Sequence, residues 1–155
     1  MTEANRYQRM TIDQLNDEFI QACTLGNLKT VKYLLTSPHL KENVNIHVNN
    51  DDGVSFACVE GHFEVFTYLL NSSLFDKSKY NYDLDFKHCC RRHKTEFIDY
   101  FIFDYKIEKN PNIDDFILKN GRQDIINKFE LRSLNANLTN HLSDVNVQSI
   151  KKLKV

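Results

Sequence analysis

At 155 residues the chain is about one domain long. Its composition, 41% hydrophobic and 26% charged, is that of an ordinary globular protein and excludes global disorder and fibrous folds. The net charge of −1 lacks the basic excess of dedicated nucleic-acid-coating proteins. The N-terminus, MTEANRYQRM, has no apolar signal-peptide core. No apolar run reaches the ~20 residues of a membrane helix; Asp99 breaks the longest, Phe97 to Phe103. Cys23, Cys58, Cys89 and Cys90 form no CxxC pair and are too sparse for a disulfide scaffold. These features predict a soluble, cytoplasmic protein in a reducing compartment. The 17 asparagines, with many Lys, Ile, Phe and Tyr, look like an AT-rich coding bias, seen in some viruses, phages and intracellular bacteria.

Residues 1–10 read as a polar N-terminal segment. Thr11-Ile12-Asp13-Gln14 has capping-box spacing and competes with Asp17 as the start of the first helix. That helix carries Phe19, then the small pair Ala22-Cys23 on the same face, where a neighbouring helix can approach closely. Gly26 is able to take the left-handed conformation that ends a helix. A second helix follows at once, ending at Leu34-Leu35. The stretch Ser37 to Gly53 is polar and turn-rich. The pattern returns in Val54 to Leu70 at an offset of 35, with Ala57-Cys58, Gly61 and Leu69-Leu70 in the matching places. A second polar connection, Asn71 to Asp85, leads to a degenerate copy, Phe86 to Ile102, at an offset of 32. There Cys89-Cys90 takes the small-pair place and His93 the glycine place, at a cost of roughly 1 kcal/mol if the left-handed turn is kept. Phe116 to Phe129 is a fainter copy with Gly121 at an offset of 28. Asp52, and Asp83 or Asp85, are the expected N-caps of the second and third copies. Leu131, Leu134, Leu138, Leu142 and Val145 then lie at near-helical spacing, and predict an amphipathic helix that covers the last copy. Lys151, Lys152 and Lys154 form a short basic end, read as solvated.

The expected fold is therefore all-α: about four helix-turn-helix units near 15–47, 48–79, 80–110 and 111–131, within an array over 11–131. A capping helix and basic tail occupy 132–155. No unit buries its own faces alone, and stacking supplies the core.

These residues resemble the ankyrin repeat family. The resemblance rests on Ala57-Cys58-Val59-Glu60-Gly61-His62, Glu64-Val65-Phe66 and Leu69-Leu70, and on Ala22-Cys23-Thr24-Leu25-Gly26-Asn27, Val31 and Leu34-Leu35 in the copy before. The family's Thr-Pro-Leu-His motif is absent; Asp17-Glu18-Phe19-Ile20 and Asp52-Gly53-Val54-Ser55 stand in its place. The resemblance implies an α-solenoid that binds another protein through its concave face and finger-like tips, without catalysis. It places on that concave face the pairs before each glycine position: Thr24-Leu25, Val59-Glu60, Arg91-Arg92 and Lys119-Asn120. The tips would be Asn49 to Gly53, with Asn49 and Asp51, and Tyr80-Asn81-Tyr82-Asp83, where tyrosine offers large contact area at low entropic cost.

Other chemistry is poorly supported. Cys23, Cys58 and Cys90 recur at one repeat position and read as buried packing residues. Cys89 and His93, four apart, lack the second ligand pair of a structural zinc site, and Arg91 and Arg92 would oppose a cation. The basic run Lys87 to Lys94 reads as a solvated face or as a cationic patch for an acidic partner; Asp83, Asp85, Glu96 and Asp99 argue against a phosphate-backbone ligand. There is no P-loop, GxGxxG, GxSxG or HExxH motif. The expectation is a monomeric, non-enzymatic binding module without cofactor or metal that masks or competes, fitting a viral or bacterial modulator of host proteins. A nucleic-acid-binding or self-associating repeat protein is the alternative.

Overall fold

The computed structural model describes the backbone of residues 3–152 and the side chains of residues 5–143. Among these residues the fold is all-α, with no strand. No described helix is long and apolar enough to cross a membrane. The chain divides into two compact units, Met1–Phe97 and Ile98–Val155.

The first unit opens with a short helix, α1 (Glu3–Tyr7). Helix α2 (Ile12–Thr24) starts at the capping box: the Gln14 N–H donates to Thr11 Oγ1 at 3.3 Å and the Thr11 N–H to Gln14 Oε1 at 3.0 Å. This resolves the competition against Asp17, which lies inside the helix. Leu15, Phe19, Ala22 and Cys23 form the buried face of α2. Gly26 at φ 71 turns the chain into α3 (Leu28–Thr36), capped by Asn27 Oδ1 on the Thr30 N–H. The next pair is α4 (Asp52–Glu60) and α5 (Phe63–Asn71), joined by Gly61 at φ 91. Helix α6 (Asp83–Arg91) leads through His93 to α7 (Thr95–Asp99). Helix α4 packs between α2 and α6, and α3 packs on α5. Gly53 is what lets α4 lie so close to α2: a Cβ there would meet the Phe19 ring at 2.7 Å and Cys23 Sγ at 3.2 Å.

His93 keeps the left-handed turn at φ 52, as its glycine-like position requires. His93→Gly is expected to stabilise the protein by up to ~1 kcal/mol, a rise of about 2–4 °C in Tm. A melt that is unchanged or lower would show that the imidazole makes compensating contacts.

The N-caps of α4 and α6 differ from expectation. The N-cap of α4 is Asp51, itself left-handed at φ 70, and it makes no side-chain cap because its carboxylate is bound to His47. Asp52 is already the first helical residue. In α6 the cap position is Tyr82, whose side chain does not cap the helix; Asp83 and Asp85 lie within the helix, and Asp85 is turned into the interior.

The second unit holds a π-helical turn (Tyr100–Asp104) that continues α7, then α8 (Pro111–Lys119) and the long α9 (Gln123–Lys152). Asn110 caps α8 through the Ile113 N–H, with Pro111 pre-set at its first position. Helix α9 packs on α8 and on the π-helical turn. Its inward face carries Ile125 and Phe129, and Arg132 donates to the carbonyls of Ile102 and Ile107 at 3.3 and 2.6 Å. Lys128 pairs with Asp99.

The expected capping helix thus exists as the second half of α9, but its leucines cap nothing in their own unit. Leu131, Leu134, Leu138 and Leu142 are 48%, 64%, 59% and 55% exposed. The inward face of α9 is set instead by Ile125, Phe129 and Arg132, which lie on the opposite side of the cylinder. The side chains of Val145, Lys151, Lys152 and Lys154 fall outside the described residues.

Candidate partner-binding surface

Helices α2, α4 and α6 each bury an apolar pair, Ala22-Cys23, Ala57-Cys58 and Cys89-Cys90, and so turn the opposite side of their last turn to solvent. Leu25 is 67% exposed, Val59 is 37% exposed, and Glu60, Arg91 and Arg92 are exposed; Thr24 is half-buried, with its hydroxyl on the Ile20 carbonyl. Because α2, α4 and α6 pack in that order, the structure brings these three pairs onto successive helices of one unit. Lys119 and Asn120 are exposed in the second unit, where Lys119 pairs with Asp115 and Asn120 bonds the Phe116 carbonyl.

Two further apolar side chains are exposed outside these pairs, one in the middle of α4 and one in the first turn of α6. Phe56 is 39% exposed on α4 and Leu84 is 74% exposed on α6. The signal was present in the spacing: Phe56 falls off the buried face defined by Val54, Ala57 and Cys58, so an aromatic ring is left facing water.

The ends of α2 and α4 are each braced by the residue that follows the glycine position of the next copy. His62 Nε2 lies 2.8 Å from the Thr24 carbonyl, and the His62 ring fills the space beside Gly26. One repeat later, Lys94 Nζ donates to the Cys58 and Val59 carbonyls at 2.8 and 2.6 Å. Each bond satisfies carbonyls that a helix C-terminus leaves open. The ammonium of Lys94 also suits the negative end of α4. Around α6 the field is positive. Burial, then Lys94, Arg92 and Arg91, hold the His88 imidazole below its ordinary pKa, against an opposing pull from Asp85.

The turn segments are partly exposed and partly buried. Asn49 and Asn81 are exposed, Tyr82 and Asp83 half-buried. Asp51 and Tyr80, expected at exposed tips, are each only 6% exposed. The reason is a hydrogen-bonded chain that ties one connection to the next. His47 Nδ1–H donates to the Asp51 carboxylate at 2.6 Å, and His47 Nε2 accepts the Asp76 N–H at 2.8 Å, which fixes the tautomer. The His47 ring packs on Phe75, and Phe75 on Tyr80. The Tyr80 hydroxyl donates to Asp85 Oδ2 at 2.6 Å, and Ser55 donates to the same oxygen at 2.9 Å. His47, Asp51, Ser55, Tyr80 and Asp85 line a cleft of ≈ 590 Å³. Asn49, Asn50 and Asp51 all have positive φ (50, 57 and 70), a conformation Asn and Asp tolerate better than other side chains.

The thiols are interior groups. All four cysteines are free and buried, and Cys58 Sγ lies 2.9 Å from Cys89 Sγ. Burial pushes the Cys23 pKa up to about 12; the hydrogen bond with Cys89 and then burial raise that of Cys58. Cys89 therefore faces Cys58 while His93 is exposed, and the two do not meet as metal ligands. No cluster of three or more metal-binding side chains occurs among the described residues. No family model matches the chain, and no curated protein or solved structure matches it.

Proposed function

We propose that the chain is a divergent ankyrin-type array and a non-enzymatic binding module. It recognises a partner protein with an acidic surface through the exposed ends of α2, α4 and α6, and acts by masking that surface or competing for it. The observation that carries this reading is the surface itself. Leu25, Phe56, Val59 and Leu84 leave apolar area in water, beside Arg91 and Arg92, on helices whose order is set by buried packing. Aromatic and arginine side chains are the residue types that anchor interfaces. The stacking of α4 between α2 and α6, with left-handed turns at Gly26, Gly61 and His93, supports the ankyrin reading. Asn49, Asn81 and Tyr82 extend the surface at the turn side.

The test is affinity capture from a lysate of the source or host cell at moderate salt, read by mass spectrometry, with Arg91→Glu/Arg92→Glu run alongside. The variant is expected to keep its circular dichroism and lose the partner by at least about 30-fold, the effect of one interface hot spot. A partner captured equally by both proteins would place recognition elsewhere. Capture that collapses with salt and brings down nucleic acid would favour the alternative.

A further inference from the structure

The cleft on the turn side of the first unit has the opposite charge to the end of α6. Its walls are His47 and Asp51 from one connection, Tyr80 and Asn81 from the next, and Ser55 and Asp85 from α4 and α6. Its ≈ 590 Å³ is the size of a small-ligand site. Asp51 and Asp85 are each only 6% exposed, yet each has one carboxylate oxygen to spare. Asp51 Oδ1 is taken by His47, and Asp85 Oδ2 by Tyr80 and Ser55. Asp51 Oδ2 and Asp85 Oδ1 have no hydrogen-bond partner among the described residues, and neither is sealed within the protein. Both residues line the cleft, so these two oxygens open onto it. Their charge is not balanced from within. Among the described residues no Lys or Arg pairs with either carboxylate. His47 accepts the Asp76 N–H at Nε2, so its ring is neutral. Lys79, at the cleft, is exposed and pairs with Asp76 at 3.2 Å. The charge of Asp51 is close enough to add to the raised pKa of Asp85. Two buried like charges beside an open volume carry a cost that a bound cation relieves.

We infer that this cleft binds a guanidinium group, with Asp51 Oδ2 and Asp85 Oδ1 as its acceptors. The acceptors select that cation. They belong to two residues on different elements, so one ligand must serve separate oxygens. A guanidinium spreads five N–H donors over a planar fork, and its weak hydration suits a largely closed site. An ammonium is a compact and strongly hydrated point charge, and loses more on entering. A calcium ion takes six to eight oxygen ligands. No group of three or more metal-binding side chains occurs among the described residues. The site does not rest on the proposed partner surface, which takes the opposite charge at the helix ends.

The test is a nitrogen-15 NMR titration of the full chain with Nα-acetyl-arginine amide, at about pH 7.5, above the ordinary carboxylate range. The amides of Asn50, Ser55 and Asn81 should shift and saturate between about 1 and about 20 mM. Nα-acetyl-citrulline amide has the same shape without the charge, and should give no saturable shift. Nα-acetyl-lysine amide should bind several-fold more weakly than the arginine probe. Asp85→Asn keeps an acceptor for Tyr80 and Ser55 but loses the charge, and should weaken binding at least about 10-fold. Asp52→Asn, outside the cleft, should bind as the wild type does. Free arginine separates two sources of the group. Binding tighter than that of the capped probe assigns a free small molecule; equal or weaker binding assigns an arginine side chain within a polypeptide. No saturable shift up to about 20 mM, equal shifts from citrulline or lysine, or an Asp85→Asn protein that binds like the wild type would overturn the inference.

Discussion

Gly26→Ala is expected to destabilise the protein by about 2–4 kcal/mol, well beyond the same change at Gly61 or Gly121. All three glycines have positive φ, at 71, 91 and 59, so all three substitutions carry the left-handed strain of about 1–2 kcal/mol. They share the same gain from a stiffer unfolded chain, which cancels in the comparison. The difference lies in what the new methyl group meets. At Gly121 nothing lies within 4 Å, and at Gly61 only the flexible end of Lys94, at 3.4 Å. At Gly26 the methyl would sit 2.4 Å from His62 Nδ1 and 2.7 Å from its Cγ. A ring cannot bend away from such a contact. It has to move, and the bond from Nε2 to the Thr24 carbonyl breaks with it. Denaturant unfolding of the three variants checks the order. If Gly26→Ala were no worse than Gly121→Ala, His62 would not brace the end of α2. The same displacement acts on Thr24 and Leu25, so partner binding should weaken in Gly26→Ala before it does in Gly61→Ala.

This brace shows how far the sequence could be read. The glycine positions and the small buried pairs are local patterns, and each is present where spacing puts it; the capping box at Thr11 was one of two starts that the spacing allowed, and its hydrogen bonds select it over Asp17. His62 could be placed beside a turn, but its acceptor is 38 residues away. No local pattern points across that distance. The same limit governs the turn segments. Asn, Asp and Gly say that the chain reverses there; they do not say which side chain turns inward. Asp51 and Tyr80 are buried because His47 and Asp85 reach them, and Asp85 in turn needs Ser55, 30 residues earlier. The leucines of α9 illustrate the complementary gap. Helical periodicity states correctly that Leu131, Leu134, Leu138 and Leu142 share a face. It carries no information on what covers that face, and Ile125 with Phe129 claims the inward side. Phe56 lies between these cases, since the spacing of its neighbours already marks it as outward.

Asp85 is expected to be the residue on which the turn segments depend most, and its contribution to vary with pH in a direction opposite to that of a salt-bridged carboxylate. Asp85→Leu should cost about 2–4 kcal/mol, because the Tyr80 and Ser55 hydroxyls both donate to one carboxylate oxygen and would lose their acceptor inside the protein. Asp85→Asn keeps an oxygen in that place and should cost about 1 kcal/mol or less at neutral pH. Burial raises the carboxyl pKa of Asp85 more than its hydrogen bonds from Tyr80 and Ser55 lower it, and Asp51 adds to the rise. As pH climbs past the ordinary aspartate value of about 4, the unfolded chain therefore gives up this proton first. The native state holds more protons across that window, so the stability from this group is complete below it, falls through it, and is level above the raised value. Asp85→Asn has no such proton. The advantage of wild type over Asp85→Asn should then be largest near pH 3.5 and shrink toward about pH 7. Paired denaturation curves across that range measure the difference directly, with every other titrating group common to both proteins. An advantage that grew with pH would mean that the hydroxyl donors outweigh burial, and that Asp85 works as a charged anchor. In either case Asp85→Leu should release Tyr80 from the interior, and with it the packing of Phe75 and the His47 ring that joins the two connections.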